Sequence, residues 1–261
     1  MNDEDTAPAD RHALDGRPRD EYPWDDFDAD WYADRYFGDL RGDDRELLET
    51  VRDFFTAADL PSPVCEAEGI DVGPGPNLYP ALAMLPLCGT ITLWEHAPPN
   101  VRWLARELPS YGRRWDPFWA VLARHQLYRA VGDPRAALAA RAIVHHGSAL
   151  DLPERRWDVG TMLFVAESFS PRPADFEAAI SSFVRSLKPS APFAIGLMEN
   201  SEGYQVGERR FPAVAVDAED VRDSLEPATA GLRVSRIGAT SPPIRAGYSG
   251  MLLATGLARR R

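Results

Sequence analysis

The run Gly69-Ile-Asp-Val-Gly-Pro-Gly-Pro-Asn-Leu-Tyr79 limits what this chain can fold into more than any other stretch. Its apolar start, ending in Asp71-Val72, reads as a buried strand that breaks into Gly73-Pro74-Gly75-Pro76. Two glycines in such a turn let the backbone pass close to a ligand. A short helical segment follows from Asn77, with Pro80 tolerated in its first turn. A second apolar run, Gly89 to Trp94, ends at Glu95, twenty residues beyond Gly75. A glycine turn followed at that distance by an acid is the arrangement that holds a nucleoside, the acid gripping the ribose hydroxyls.

The dinucleotide fingerprint asks for a third glycine where helix and strand pack, and Leu78 stands there. This departure turns the reading from NAD toward a nucleoside ligand without a pyrophosphate, of which S-adenosylmethionine is the commonest. A catalytic Tyr-x-x-x-Lys pair, which an NAD-dependent oxidoreductase would carry, is missing as well.

The rest of the chain alternates as a parallel α/β sheet does. Strands are expected near 66–72, 90–95, the end of 136–144, 157–165, 192–198, 233–237 and 250–257. Helices are expected over 78–87, 100–108, 116–131, 175–187 and 218–225, with a hairpin inserted at 204–216. Residues 24–60 carry a cluster of aromatics and then Leu47, Leu48, Val51, Phe54 and Phe55 at helical spacing, closed by Pro61 and Pro63. Three segments follow: an acidic disordered tail over 1–22, a helical cap or lid over 23–62, and a nucleoside-binding domain over 63–261.

Net charge is -11, and an acidic surface repels phosphate backbones, so nucleic acid is not expected as a partner. The two cysteines, Cys65 and Cys88, form neither a disulfide framework nor a metal cluster and read as small core residues. His145 and His146 are neighbours on a strand, point to opposite faces and have no third ligand nearby, so no metal is expected. No secretory signal or membrane-length apolar run is present, which places the protein in the cytoplasm, with no membrane partner. The single lysine, Lys188, against many arginines reads as the bias of a bacterial genome.

Asp71-Val-Gly-Pro-Gly-Pro-Asn-Leu-Tyr79 resembles the first motif of the nicotinamide, phenylethanolamine and thioether methyltransferases. Three further patches agree in order: Phe27-Asp-Ala-Asp-Trp-Tyr32-Ala-Asp-Arg-Tyr36-Phe37, the acid-to-asparagine spacing from Glu95 to Asn100, and Tyr204-Gln-Val-Gly207-Glu208-Arg-Arg-Phe211. The resemblance spans roughly residues 24–257 and implies a Rossmann-like seven-stranded methyltransferase sheet flanked by helices, with the N-terminal cap and the inserted hairpin. It also implies S-adenosylmethionine as methyl donor, S-adenosylhomocysteine as product, and a small-molecule acceptor.

The implied cofactor residues are Gly73, Pro74, Gly75, Tyr79, Glu95, His96, Asn100, Ser148 and Ala149. The glycine loop would pass under the methionine part, and Glu95 with Asn100 would hold the ribose. At the adenine either Ser148 substitutes for the family's acid or the register shifts to Asp151. Two N-terminal tyrosines of the family close over the cofactor. Tyr32 matches the first, and the second falls on Phe37, which lacks a hydroxyl, unless the register slips to Tyr36. For the acceptor, Glu199 and Tyr204 are the catalytic candidates, and Asn200, Glu219 and Tyr248 the substrate-binding ones, with Asp220 and Ser249 beside them. Acids near the pocket favour an amine or N-heteroaromatic acceptor. The alternatives are O- or S-methylation on the same scaffold, or a non-catalytic protein that binds the cofactor. A monomer is expected.

Overall fold

The computed structural model describes residues 22–60, 62, 66–238, 245 and 247–259. Residues 1–21 of the expected tail, and Pro61, Pro63 and Cys65, lie outside the described residues.

The first strand, β1 (Glu68–Val72), pairs in parallel with β2 (Thr90–Glu95) on one side and β4 (Val159–Leu163) on the other. The sheet extends outward through β3 (Ala142–His146) beyond β2 and β5 (Pro192–Glu199) beyond β4. Two antiparallel strands complete it, β9 (Gly250–Ala258) against β5 and β8 (Thr229–Gly238) at the far edge. The order is β3-β2-β1-β4-β5-β9-β8. The fold is therefore a seven-stranded mixed sheet of Rossmann-like type. The chain first winds outward from β1 to β3 and then restarts at β4 on the opposite side of β1. In such sheets a crevice opens at the carboxyl ends of the strands where the winding reverses.

Both faces are covered, which is why the central strands read as near-continuous apolar runs. One face carries Ile70, Val72, Trp94, Ile195 and Leu197 against α8 (Pro173–Ser186) and α9 (Ala218–Leu225). The other carries Ile91 and Leu93 against α2 (Gly42–Ala57), α3 (Tyr79–Met84), α4 (Pro98–Glu107) and α5 (Asp116–Leu122). Leu47, Leu48, Val51 and Phe55 recur every three or four residues on α2, and all four are at most 1% exposed. Ahead of α2, α1 (Ala29–Phe37) starts at Asp28, whose Oδ1 accepts from the Trp31 N–H at 2.9 Å.

One expectation is corrected. The single helix over 116–131 is two, because the chain turns at Ala123–His125 and restarts as α6 (Gln126–Arg129), capped by the His125 ring. The third strand lies at the end of 136–144 as expected, with α7 (Pro134–Arg141) before it and β3 beginning at Ala142. The hairpin consists of β6 (Tyr204–Val206) and β7 (Arg209–Phe211), turning at Gly207 with φ 56°. Its Phe211 ring lies 5.0 Å from Trp24 and 5.1 Å from Phe27, so hairpin and N-terminal segment meet as one aromatic roof.

Candidate functional site

The carboxyl ends of β1 to β4, the hairpin residue Tyr204 and the aromatic roof line an open cavity. Its floor begins at the glycine turn. Gly73 and Gly75 have φ of 60° and 57°, left-handed values that glycine adopts without strain. A Cβ on Gly73 would also meet the Val165 side chain at 2.7 Å. Sequence and packing therefore demand glycine at this point.

Glu95, 5% exposed at the end of β2, is the electrostatic centre of that floor. Its Oε2 accepts from the Gly75 N–H at 2.8 Å and its Oε1 from the Ala97 N–H at 2.7 Å. Burial pushes its carboxyl upward in pKa, and the N–H donors of Ala97 and Gly75 oppose that shift. The Asn100 side chain and the His96 N–H also hold this carboxylate. Asn100 lies beside it, and the Asn100 Oδ1 is buried without a hydrogen-bond partner. A buried acceptor left open in this way costs free energy until a donor arrives.

A flat slot adjoins this floor. The Trp94 indole stacks on His145 with centroids 3.9 Å apart and donates to the Ser148 carbonyl at 3.0 Å. Gly147 makes room for it, since a Cβ there would sit 2.6 Å from the indole ring. Ser148 and Ala149 line the slot, and the Ser148 Oγ accepts from the Leu150 N–H at 3.2 Å. Asp151, the other candidate for this position, is exposed and absent from the cavity wall. His146 turns the other way and lies 2.9 Å from the His96 carbonyl through its Nε2. Among the described residues no three His, Cys, Asp or Glu side chains are grouped to hold a metal ion.

The structure gathers most of the expected residues into this one cavity: Tyr32, Phe37, Gly73, Pro74, Gly75, Glu95, His96, Asn100, Ser148, Ala149 and Tyr204 all line it. Tyr36 does not, so Phe37 holds the second roof position. Tyr79 stands behind the wall. It is fully buried, donates to Asp44 Oδ1 at 3.3 Å and presents its ring edge to Phe37 at 5.9 Å.

The acceptor candidates divide differently. Glu199 pairs with Arg236 at 2.6 Å and accepts from Ser249 Oγ at 2.9 Å, away from the cavity wall. Asn200, with φ 58°, is exposed and donates to Ser249. Glu219 and Asp220 belong to the exposed first turn of α9, which Asp217 caps. Tyr248 is buried against Asp43 on α2, and burial raises its hydroxyl pKa.

Several contributors after β4 went unrecognised in the sequence. Phe164, directly after β4, has φ 63° and lines the cavity with Val165 and Phe169. A bulky residue in that backbone region is strained and tends to mark a functional turn. Behind this wall, Glu167 Oε1 accepts from the Ser168 Oγ at 2.9 Å and from the Met198 N–H at 3.1 Å. Burial raises the Glu167 pKa while the charge of Arg245 opposes it. None of these has a local motif. Only the Glu-Ser pair following an apolar strand hinted at them.

The chain matches the NNMT/PNMT/TEMT family over residues 19–249, which is most of its length. The protein belongs to this family. Among curated proteins, human phenylethanolamine N-methyltransferase is 29% identical over 178 residues, a match covering 60% of each chain. Among solved structures, the N-methyltransferase NodS of Bradyrhizobium japonicum, in complex with S-adenosylhomocysteine, shares the fold. Its TM-score is 0.54 at 14% identity, over 89% of this chain and 93% of that one. An S-adenosylmethionine-dependent methyltransferase of Methanosarcina mazei matches with TM-score 0.51 and 14% identity, over 75% of this chain and 94% of that one. Membership in the NNMT/PNMT/TEMT family and a class I methyltransferase sheet are thus established together. Among the described residues no helix is long and apolar enough to cross a membrane.

Proposed function

We propose that this NNMT/PNMT/TEMT family member transfers the methyl group of S-adenosylmethionine to a nitrogen of a small molecule. The observation that carries the reading is the ribose-type cradle. The two Glu95 oxygens are fixed by Gly75 and Ala97, and the unpartnered Asn100 Oδ1 lies beside them. A diol fits these groups, because it can donate to acceptors that the protein leaves open. Bound S-adenosylmethionine supplies an electrophilic methyl group on a sulfonium centre.

The chain's own residues then have separate tasks. Glu95 and Asn100 hold the sugar. Trp94, Ser148 and Ala149 form a flat slot suited to a purine. Gly73 and Gly75 bring backbone close to the amino-acid end. Phe37, Phe27 and Trp24 roof the cavity and exclude water, while Tyr32 and Tyr204 complete its wall. Burial raises the Tyr204 hydroxyl well above the ordinary phenol range, so it stays protonated and can donate to an acceptor but not serve as its base. Holding a nucleophilic nitrogen roughly 3–3.5 Å from the methyl carbon supplies much of the rate by proximity alone. A base is needed only for an acceptor that carries a proton on that nitrogen.

Calorimetric titration with S-adenosylhomocysteine, with NAD as control, tests the reading. Micromolar binding of the first and none of the second is expected, followed by a methyl mass gain on an N-nucleophile in an acceptor screen. Binding of NAD alone, or of neither, would overturn it.

A further inference from the structure

Arg245 is a buried cation that the assignments above do not use. Its side chain packs behind the wall formed by Tyr32, Ser168 and Tyr204, and the residue is 7% exposed. Nη1 donates to Ser168 Oγ at 2.9 Å and Nη2 to the Tyr32 hydroxyl at 3.2 Å. The guanidinium lies 4.2 Å from the centroid of the Tyr204 ring. Ser168, Tyr32 and Tyr204 are all cavity-wall residues.

Two features separate this arginine from an ordinary structural one. Among the described residues it has no carboxylate within 4.0 Å, and its Nε is buried without a hydrogen-bond partner. Glu167 feels its charge from beyond ion-pair distance, and the two are bridged by the Ser168 hydroxyl, which accepts from Arg245 and donates to Glu167 Oε1. The phenols around it are not counter-ions. Desolvation holds Tyr32 up at about 12 and keeps it neutral, even though Arg245 pulls the other way. A guanidinium stays charged at any working pH, and burying it without a direct counter-ion is costly. Meanwhile Glu199, the acid expected to hold a cationic amine, is occupied by Arg236 away from the cavity.

We propose that the methyl acceptor carries a carboxylate or an equivalent anionic group, and that Arg245 is the residue that selects it. This deepens the methyltransferase reading above and rests on it. The acceptor class is then an amino or N-heteroaromatic acid rather than a simple alkylammonium. The amino-acid tail of the cofactor is a second source of carboxylate. We assign the arginine to the acceptor because Ser168 follows β4 and Tyr204 belongs to the inserted hairpin, both apart from the ribose cradle. The cradle of Glu95, Asn100 and Ser148 lies at β2 and β3.

The test uses the wild-type protein saturated with S-adenosylhomocysteine and two probes of similar shape and opposite charge, phenylacetate and benzylammonium. Phenylacetate should bind at least about tenfold more tightly. In Arg245→Gln that preference should vanish while affinity for S-adenosylhomocysteine stays within about twofold. Arg245→Lys, which keeps the charge without the fork, should retain part of it. Tighter binding of benzylammonium by the wild type, or no phenylacetate binding at millimolar concentration, would overturn the proposal without needing any variant. Loss of S-adenosylhomocysteine affinity in Arg245→Gln with phenylacetate binding unchanged would also overturn it, giving the arginine to the cofactor. Failure of the wild type to bind S-adenosylhomocysteine at all would instead remove the methyltransferase reading itself.

Discussion

Replacing Glu95 with Gln perturbs the site at the point where backbone and ligand share one side chain. The carboxylate now accepts from two N–H groups, Gly75 at 2.8 Å and Ala97 at 2.7 Å. An amide has one carbonyl oxygen, so one of those N–H groups must face an NH₂ group instead. Leaving one buried donor unmatched costs about 1–3 kcal/mol of stability. For a chain of this size that lowers Tm by about 2–4 °C per kcal/mol. The ligand suffers separately. Two hydroxyl-to-carboxylate bonds become neutral ones, and each exchange forfeits about 1 kcal/mol, the difference between charged and neutral hydrogen bonds. The sum, about 2 kcal/mol, is an affinity loss of about 30-fold. Calorimetry with S-adenosylhomocysteine measures this, and a thermal melt of the free protein measures the first effect. Glu199→Gln is the control, since that acid faces Arg236 and Ser249, and it should leave cofactor affinity unchanged. An E95Q protein that binds within about threefold of wild type would refute the ribose assignment.

Two further perturbations read the framework that holds this cavity. Asp44 meets the Tyr79 hydroxyl, and burial together with the adjacent Asp43 raises its pKa to about 7, against an unfolded value of about 3.9. The native state therefore keeps a proton that the unfolded chain releases, so stability falls as pH rises between about 4 and 7. Urea unfolding at pH 5 and pH 8 should show that loss in the wild type and a flatter response in Asp44→Asn; equal slopes would dismiss it. Lys188 binds both oxygens of the fully buried Asp158, at 2.9 and 2.8 Å, and Asp158 also accepts the Glu68 N–H at the start of β1. Lys188→Ala strands that carboxylate and should cost about 3 kcal/mol, the low end for a broken buried pair because the lysine side chain is 32% exposed. A denaturation midpoint unchanged at neutral pH would contradict this.

What the sequence disclosed follows the range of the interactions involved. The glycine turn is local: strand, left-handed glycines and the following helix lie within Glu68–Met84, so Gly73, Gly75 and the direction to Glu95 could be read without the fold. The strands were legible for a related reason, since burial on both faces writes them as apolar runs. Boundaries failed where local chemistry competed with the pattern. The apolar spacing of Phe118, Val121, Leu122 and Tyr128 continues across Ala123–His125, but the His125 ring caps a new helix there. Periodicity records which face is buried, not where the backbone turns.

The acceptor end was illegible because its parts come from distant places in the chain. Tyr32 meets Arg245 across 213 residues, and Ser168 meets it across 77. Acids near the end of the fifth strand looked like the groups for an amine, because sequence proximity to a strand end is all that a sequence can offer. The structure spends those acids elsewhere: Glu199 neutralises Arg236 at the sheet edge, and Asp217 and Asp220 cap α9. A positive charge, Arg245, stands behind the Tyr32, Ser168 and Tyr204 part of the cavity wall, and no motif announces it. Family membership fixes the sheet and the nucleoside end, while acceptor chemistry depends on a few side chains brought in from outside the motifs. A single buried arginine can therefore reverse the sign of the expected substrate without disturbing any residue by which the family is recognised.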